Sequence, residues 1–269
     1  MQRGEVAPGT KTALVTGASS GIGYAIADRL AGLGYNIIAV SENAVQLAEA
    51  AEKLQQAHQA VKVTVHQADL AESDAAERLF EWSCGEGFEV DVLINDAGMF
   101  SFLDVLDTPV ERIRRILLLH DMTTIMLCRL FGERMAARGE GHILNMSSYS
   151  LWMPFPGLAL YSASKACLRS FSIAFAKEMR EHGVKVTALC PAGVSTDLYG
   201  LSKSLQKLGL RLGVLISPES CARRGLKAMW RGRKSSVPGW WNRLGIPFCL
   251  YMPGWMTRIL RRYTKRFQR

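Results

Sequence analysis

Hydrophobic positions along the chain fall into two alternating patterns. Short apolar runs at Lys11–Thr16, Asn36–Val40, Val90–Asn95, His142–Ser147 and Lys185–Cys190, and an alternating one at Val61–His66, read as strands. Between them lie segments with helical spacing: Ile22–Leu33 ending at Gly34, Val45–His58, Ala75–Trp82, a long helix from about Val110 to Ala137, and Tyr161–His182. Strands that alternate with helices predict an α/β fold, a doubly wound parallel sheet with helices on both faces. After Gly200 the character changes. Ser217-Pro218-Glu219 reads as a helix start leading into Ala222–Trp230, and Ser236–Pro238 as a last edge strand.

With 269 residues, the chain suits one large domain. We read residues 1–199 as its core and 200–269 as a substrate lid, the last strand and a basic amphipathic tail, with no clean boundary. Charge sharpens this division. Residues 1–199 carry 17 Lys/Arg and 23 Asp/Glu, whereas residues 200–269 carry 16 Lys/Arg and one acid, Glu219. Such asymmetry predicts an anionic partner for the C-terminal part. The six cysteines have neither CxxC nor zinc-ligand spacing and are expected to be buried free thiols, with no metal site. No apolar signal segment precedes Lys11, so a cytoplasmic location is expected.

The first strand–helix turn reads Thr16-Gly17-Ala18-Ser19-Ser20-Gly21-Ile22-Gly23. Its glycines permit a tight turn and let the backbone approach a pyrophosphate placed on the next helix's N-terminus. Gly17, Ser19, Ser20, Gly21, Ile22 and Gly23 are therefore candidate dinucleotide contacts. Asp69-Leu70 and Asn95-Asp96-Ala97-Gly98 stand at the carboxyl ends of later strands, where open α/β sheets bind ligands. Asp69, Leu70, Asn95, Ala97 and Gly98 join the candidate set.

Catalytic chemistry is concentrated at Ser148 and at Tyr161-Ser162-Ala163-Ser164-Lys165. Residues four apart on a helix share a face. A tyrosine ordinarily titrates near 10, and an adjacent ammonium favours its phenolate form. Tyr161 could then exchange a proton with an alkoxide or alcohol, with Ser148 hydrogen-bonding the same oxygen.

TGASSGIG, NDAG, a serine thirteen residues before the tyrosine, YSASK, and Pro191-Ala192-Gly193-Val194-Ser195-Thr196 together resemble the short-chain dehydrogenase/reductase family from about Lys11 to Thr196. The resemblance implies a Rossmann-type sheet of about seven strands and hydride transfer between a nicotinamide and a carbonyl or alcohol. It implies Tyr161 as acid/base, Lys165 lowering its pKa and holding the ribose, and Ser148 orienting the carbonyl. Val194 and Thr196 are implied to lie near the nicotinamide carboxamide, Pro191 and Gly193 to contact the cofactor, and a homodimer or homotetramer is implied. Two positions depart from the family pattern. His120 stands where an asparagine usually contributes its backbone carbonyl to a proton relay, and Ala192 replaces a glycine. His120 could act through its backbone, join the relay with its imidazole, or serve as a core or capping histidine.

In this family, NADP binders tend to carry a basic residue after the second strand or before the second glycine of the turn. Here those positions hold Glu42 and Ser20. A carboxylate about 5 Å from a 2′-phosphate would repel it by a few kcal/mol at an effective dielectric of about 20. NAD(H) is the favoured cofactor, with NADP(H) left open.

Phe100, Phe102, Trp152, Met153, Phe155 and Leu158, with Leu205–Ile216 as lid, form an apolar substrate region. The tail adds Trp240, Trp241, Phe248, Tyr251 and Trp255, then Arg258, Arg261, Arg262, Lys265, Arg266 and Arg269. Leu244–Leu260, broken by Pro247, Pro253 and Gly254, is too short to span a bilayer. Aromatic residues beside a cationic run suit an anionic membrane surface, so peripheral attachment to the inner membrane face is a further expectation. A core or subunit-interface role competes with it. No nucleic-acid motif accompanies the charge, so nucleic acid is not the expected partner. The substrate expectation is a lipid-like ketone or alcohol, with 3-ketosphinganine ahead of long-chain 3-oxoacyl and steroid substrates. The alternatives are a small polar ketone or sugar, and a dinucleotide-binding regulator without turnover.

Overall fold

The computed structural model describes residues 10–153, 155–196, 202–211, 214–251 and 256. In chain order the elements are β1 (Thr12–Thr16), α1 (Gly21–Ala31), β2 (Asn36–Ser41), α2 (Ala44–Ala57), β3 (Val63–Gln67), α3 (Ala75–Gly85) and β4 (Val90–Asn95). They continue with α4 (Val110–Leu117), α5 (Thr123–Arg138), β5 (Gly141–Met146), α6 (Ala159–Glu178), β6 (Val184–Leu189), α7 (Lys203–Arg211), α8 (Pro218–Trp230), β7 (Ser235–Ser236) and α9 (Trp240–Leu250).

The seven strands form one sheet in the order β3-β2-β1-β4-β5-β6-β7, parallel throughout. Both faces are covered, which explains the continuous apolar runs. Ile26 and Leu30 of α1 share one cluster with Leu226 and Met229 of α8. Leu79 of α3, Leu127 and Phe131 of α5 and Ala176 of α6 pack against the other face. Helix starts follow local chemistry. Asn43 Oδ1 accepts the Gln46 N–H at the head of α2, and Ser217 Oγ accepts the Ser220 N–H at the head of α8, where Pro218 takes the first helical position.

The long helix expected over Val110–Ala137 is instead two α-helices joined by a π-turn at Leu118–Met122, centred on His120. One extra residue in that turn redirects the side chains, and hydrogen bonds from distant elements hold it there. Cysteine burial also departs from expectation. Cys128, Cys190 and Cys221 are buried and Cys84 and Cys249 half-buried, but Cys167 is exposed on the outer side of α6. Among the described residues no helix is long and apolar enough to cross a membrane, and no group of side chains could hold a metal ion.

Winding runs one way from β1 to β3 and the other way from β4 to β7, which opens a crevice at the carboxyl ends of β1 and β4. The candidate site lies there.

Candidate active site

Thr16 joins the two walls of this crevice. Its Oγ1 accepts the N–H groups of Asp96 and Ala97 at 3.1 Å each and donates to the Ile94 carbonyl at 3.3 Å. The Gly-rich turn after β1 is thereby fixed to the NDAG segment after β4, eighty residues away. Gly17 has φ 71°, in the left-handed region that favours glycine. Ser20 stands at the head of α1 without capping it through its side chain. The first-turn amides and the glycine turn together form a cradle that added Cβ atoms would fill: one at Gly17 would lie 3.0 Å from the Ala97 nitrogen, and one at Gly23 only 2.3 Å from the Gly17 oxygen. A dinucleotide pyrophosphate fits such a cradle.

The crevice is a cavity of about 640 Å³. Gly17, Ser19, Ser20, Gly21, Ile22, Glu42, Asp69, Leu70, Ala97, Gly98, His120, Ser148, Tyr161, Lys165, Pro191 and Thr196 line it together. Four expected contacts stand behind its wall. Gly23 packs against Gly17. Asn95 is buried and donates to Asn145 Oδ1 at 2.8 Å. Gly193 lies against the Leu215 side chain, and Val194 is buried in a bridge with Ile216. At the far end of the cavity, Ser19 and Ser41 hydroxyls lie 3.0 Å apart. The Glu42 carboxylate is mostly exposed and 3.8 Å from Arg115, which also holds Asp69 at 3.0 Å.

At the other end, Ser148 ends the segment after β5 and accepts the Ser150 N–H at 3.1 Å. Tyr161 and Lys165 lie one turn apart on α6, both buried, with Lys165 Nζ 5.7 Å from the Tyr161 ring centre. Lys165 donates to the Met146 carbonyl at 3.0 Å, and the Ser147 hydroxyl donates to the Lys165 carbonyl at 2.7 Å. Burial lowers the lysine to about 8, although Asp96 and Asp121 pull the other way. The phenyl ring of Phe100 meets Tyr161 edge-on at 5.1 Å and stacks on Phe102.

Sequence reasoning missed Asp96, Ser164 and Gln206, although the first two lie inside quoted motifs. Asp96 also lines the cavity and accepts the Gly23 N–H. Burial raises it to about 7, with Lys165 and that amide opposing the shift. Gln206 of α7 is buried at the cavity wall and accepts the Ser195 hydroxyl at 3.0 Å. The expected lid thus touches the cavity through a polar residue, while Leu205, Leu208 and Leu210 are exposed.

His120 is 0 % exposed, and its tautomer follows from its neighbours. The Met99 N–H donates to Nε2 at 3.1 Å, so Nδ1 carries the proton and donates to Ser164 Oγ at 2.9 Å. Ser164 in turn donates to the Tyr161 carbonyl at 2.9 Å. This chain ties the NDAG segment to the tyrosine's helix turn through a neutral ring. Burial pushes His120 well below its usual range, and the nearby Lys165 adds to this.

At His120 the folded state therefore binds fewer protons than the unfolded state below pH ~6.5, so this residue's contribution to stability falls as pH drops through that point, whereas the raised Asp96 carboxyl acts in the opposite direction. His142, lowered by burial to about 4, contributes in the same direction as His120. His120→Asn should lessen the acid destabilisation between pH 6.5 and 4.5 by up to one proton, about 1.4 kcal/mol per pH unit. Chemical denaturation across that range checks this, and an unchanged slope would contradict the buried neutral assignment.

Residues 11–206 match the family model described as short chain dehydrogenase. A very-long-chain 3-oxoacyl-CoA reductase of Pyricularia oryzae is 37 % identical over 178 residues, covering 65 % of this chain and 53 % of that protein. The chain thus spans about half the length of this relative. A diacetyl reductase, (S)-acetoin forming, of Staphylococcus epidermidis is 30 % identical over 197 residues, covering 71 % of this chain and 74 % of that one. The solved structure of a short-chain dehydrogenase from Sphingobium yanoikuyae in complex with NADPH superposes with a TM-score of 0.76 at 27 % identity, covering 87 % of this chain and 92 % of that one. With the family match spanning almost three quarters of the sequence and the seven-stranded parallel sheet in place, this chain belongs to the short-chain dehydrogenase family and is an oxidoreductase.

Proposed function

We propose that the protein interconverts a lipid-like ketone and its alcohol, with Ser148, Tyr161 and Lys165 as the working groups. The observation that carries this reading is the aromatic wall at the catalytic tyrosine: Phe100, backed by Phe102, packs on the Tyr161 ring. Tyr149 and Trp152, which follow Ser148, meet edge-on at 5.5 Å in a neighbouring apolar cluster. A substrate whose carbonyl reaches Ser148 and Tyr161 lays its flanking carbons on the aromatic wall. The similarity to a very-long-chain 3-oxoacyl-CoA reductase supports the same class. Within it, long-chain 3-oxoacyl compounds and 3-ketosphinganine are the leading substrates.

A bound nicotinamide cofactor would supply or accept the hydride. The protein's part is proton handling and orientation. Ser148 Oγ holds the carbonyl oxygen, and Tyr161 gives a proton to the alkoxide as it forms or takes one in the reverse direction. Lys165 holds positive charge beside that exchange and is itself held by the Met146 carbonyl. His120 and Ser164 fix the backbone of the tyrosine turn.

The same reading includes self-association through α4–α5 and α6, which the exposed Leu117 and Met122 support. It also includes attachment to an anionic membrane surface. The tail residues Trp255 and Arg258 to Arg269 that first suggested such attachment lie outside the described residues.

The diacetyl reductase relative favours a second reading, a small polar ketone. Steady-state assays with a long-chain 3-keto lipid, a steroid ketone, diacetyl and a ketose decide between the two. We expect kcat/KM for the long-chain ketone to exceed that for diacetyl by roughly a hundredfold, since each buried methylene contributes about 0.8 kcal/mol. A preference for diacetyl or the ketose would overturn the lipid reading.

For the cofactor we propose NAD(H), because Glu42 lines the cavity directly after β2, where a ribose 2′-phosphate would meet its carboxylate. Arg115 beside it tempers the repulsion of a 2′-phosphate, and the NADPH bound to the Sphingobium structure keeps NADP(H) in play. Glu42→Arg should move the NADPH/NADH ratio of kcat/KM upward by roughly tenfold or more by exchanging repulsion for a charge-assisted bond. A wild-type enzyme already preferring NADPH tenfold would contradict this reading.

A further inference from the structure

Helix α8 presents Arg224 and Lys227 on its exposed side, and its C-cap residue Arg231 is exposed beside them. With Arg233 in the following turn and Arg243 of α9, they line a hollow of about 290 Å³ together with Ala228 and Ser236–Gly239. Its rim is built. Arg243 Nε donates to the Val237 carbonyl at 3.1 Å, and Asn242 donates to the Pro238 carbonyl at 2.8 Å. None of the five cations forms an ion pair among the described residues. Elsewhere, Arg78, Arg114 and Arg129 each meet an acid within one helical turn. A solvated basic face ordinarily intersperses acids in that way. Here five like charges crowd one concavity without any.

Beside the hollow, α9 is two-faced. Ile246 and Cys249 pack inward against the cluster holding Tyr149 and Trp152. Trp241, Leu244, Phe248 and Tyr251, spaced three, four and three residues apart, are 60–84 % exposed. Arg243, in the same helix, joins this exposed apolar stripe to the cations. An aromatic stripe flanked by uncompensated cations is complementary to the headgroup region of an anionic bilayer.

We propose that the hollow between α8 and α9 binds the phosphate groups of anionic phospholipids while the exposed face of α9 enters the headgroup boundary. This deepens, and rests on, the membrane-surface part of the reading above, and places the contact within the folded domain. It also connects the surface to the chemistry. A Cβ at Gly245 of α9 would lie 3.0 Å from the Tyr149 hydroxyl, and Tyr149 directly follows Ser148. The docked helix therefore backs the segment that carries the carbonyl-orienting serine.

The test uses the full chain and vesicles of phosphatidylcholine alone or with one third phosphatidylglycerol. Wild type should co-sediment with the anionic vesicles and much less with the neutral ones. Arg224→Glu with Arg231→Glu should weaken binding by roughly tenfold or more. Trp241→Ser with Phe248→Ser should weaken it at high salt, where the cationic contribution is screened. Unchanged turnover of diacetyl or another small soluble ketone substrate by each variant shows that the fold is intact.

If wild type binds and the charge-reversed variant binds within twofold of it, the hollow is not the site, although the membrane reading stands. If wild type binds neither vesicle, both fall. Inorganic phosphate raising the melting temperature of wild type but not of the charge-reversed variant, without vesicle binding, would instead mark a site for a soluble phosphate and overturn membrane docking. Vesicle binding lost on charge reversal, in an enzyme that does not act on long-chain ketones, would retain the hollow and remove the lipid substrate.

Discussion

Tyr161→Phe is expected to lower kcat by roughly a hundredfold to ten-thousandfold, the range supplied by positioned proton transfer, with cofactor affinity within about threefold of wild type. Phenylalanine keeps the ring and removes only the hydroxyl. The edge contact with Phe100 at 5.1 Å, the approach of His120 at 5.8 Å and that of Lys165 at 5.7 Å are all made by the ring. Backbone bonds from the turn also remain, including the Ser164 hydroxyl on the carbonyl of residue 161. Lys165 keeps its place against Met146, so the part of the cavity it forms should be unaltered. Loss of one buried hydroxyl should cost about 1 kcal/mol of stability. Single-turnover kinetics and a cofactor fluorescence titration separate these effects. A variant retaining more than about a tenth of wild-type kcat would remove Tyr161 from the proton step.

The parts of this architecture that follow from short-range pattern were readable from the residues. A parallel strand covered on both faces must be apolar almost throughout, and Val90–Asn95 fulfils this with Leu93 and Ile94 at 0 % exposure. Ser217-Pro218-Glu219 starts α8 through a local hydrogen bond, so three adjacent residues sufficed to place it. Features held by distant partners were not readable. The π-turn at His120 depends on Met99 and on Ser164, which lies 44 residues later. Asp96 reads as a turn residue in NDAG, and only the assembled crevice shows a carboxyl beside Lys165 and the Gly23 amide. Glu42 was placed correctly at the end of β2, but its approach to Arg115 spans 73 residues and weakens the inference that it alone sets cofactor choice. The C-terminal charge was plain from composition, whereas the hollow it forms needs α8, β7 and α9 in three dimensions.

Gly23→Ala should cause the largest loss of cofactor binding among conservative changes in the Gly-rich turn, although Gly23 lies behind the cavity wall. It occupies the first turn of α1. Its backbone has no positive φ, so alanine is conformationally allowed and the effect is one of space. The new methyl would lie 2.3 Å from the Gly17 oxygen and 2.8 Å from Asp96 Oδ2. Neither neighbour can withdraw freely. Gly17 is held in its left-handed turn against Ala97, and Thr16 fixes the amides of Asp96 and Ala97 from below. Relief must come from α1 moving away from the turn, which separates the helix-start amides from the glycine backbone that completes the anion cradle. Overpacking of this kind costs about 1–3 kcal/mol. We expect a comparable loss of stability, and cofactor affinity lowered by roughly tenfold or more, with a much smaller change in kcat at saturating cofactor. Gly85→Ala at the end of α3 is the control. A Cβ there meets nothing within 4 Å, so helix propensity predicts stability unchanged or raised by up to about 1 kcal/mol. Melting temperatures with and without NADH, read beside KM for cofactor, separate the two sites. Gly23→Ala binding NADH as tightly as wild type would show that the contact between α1 and the turn does not set the shape of the pyrophosphate cradle.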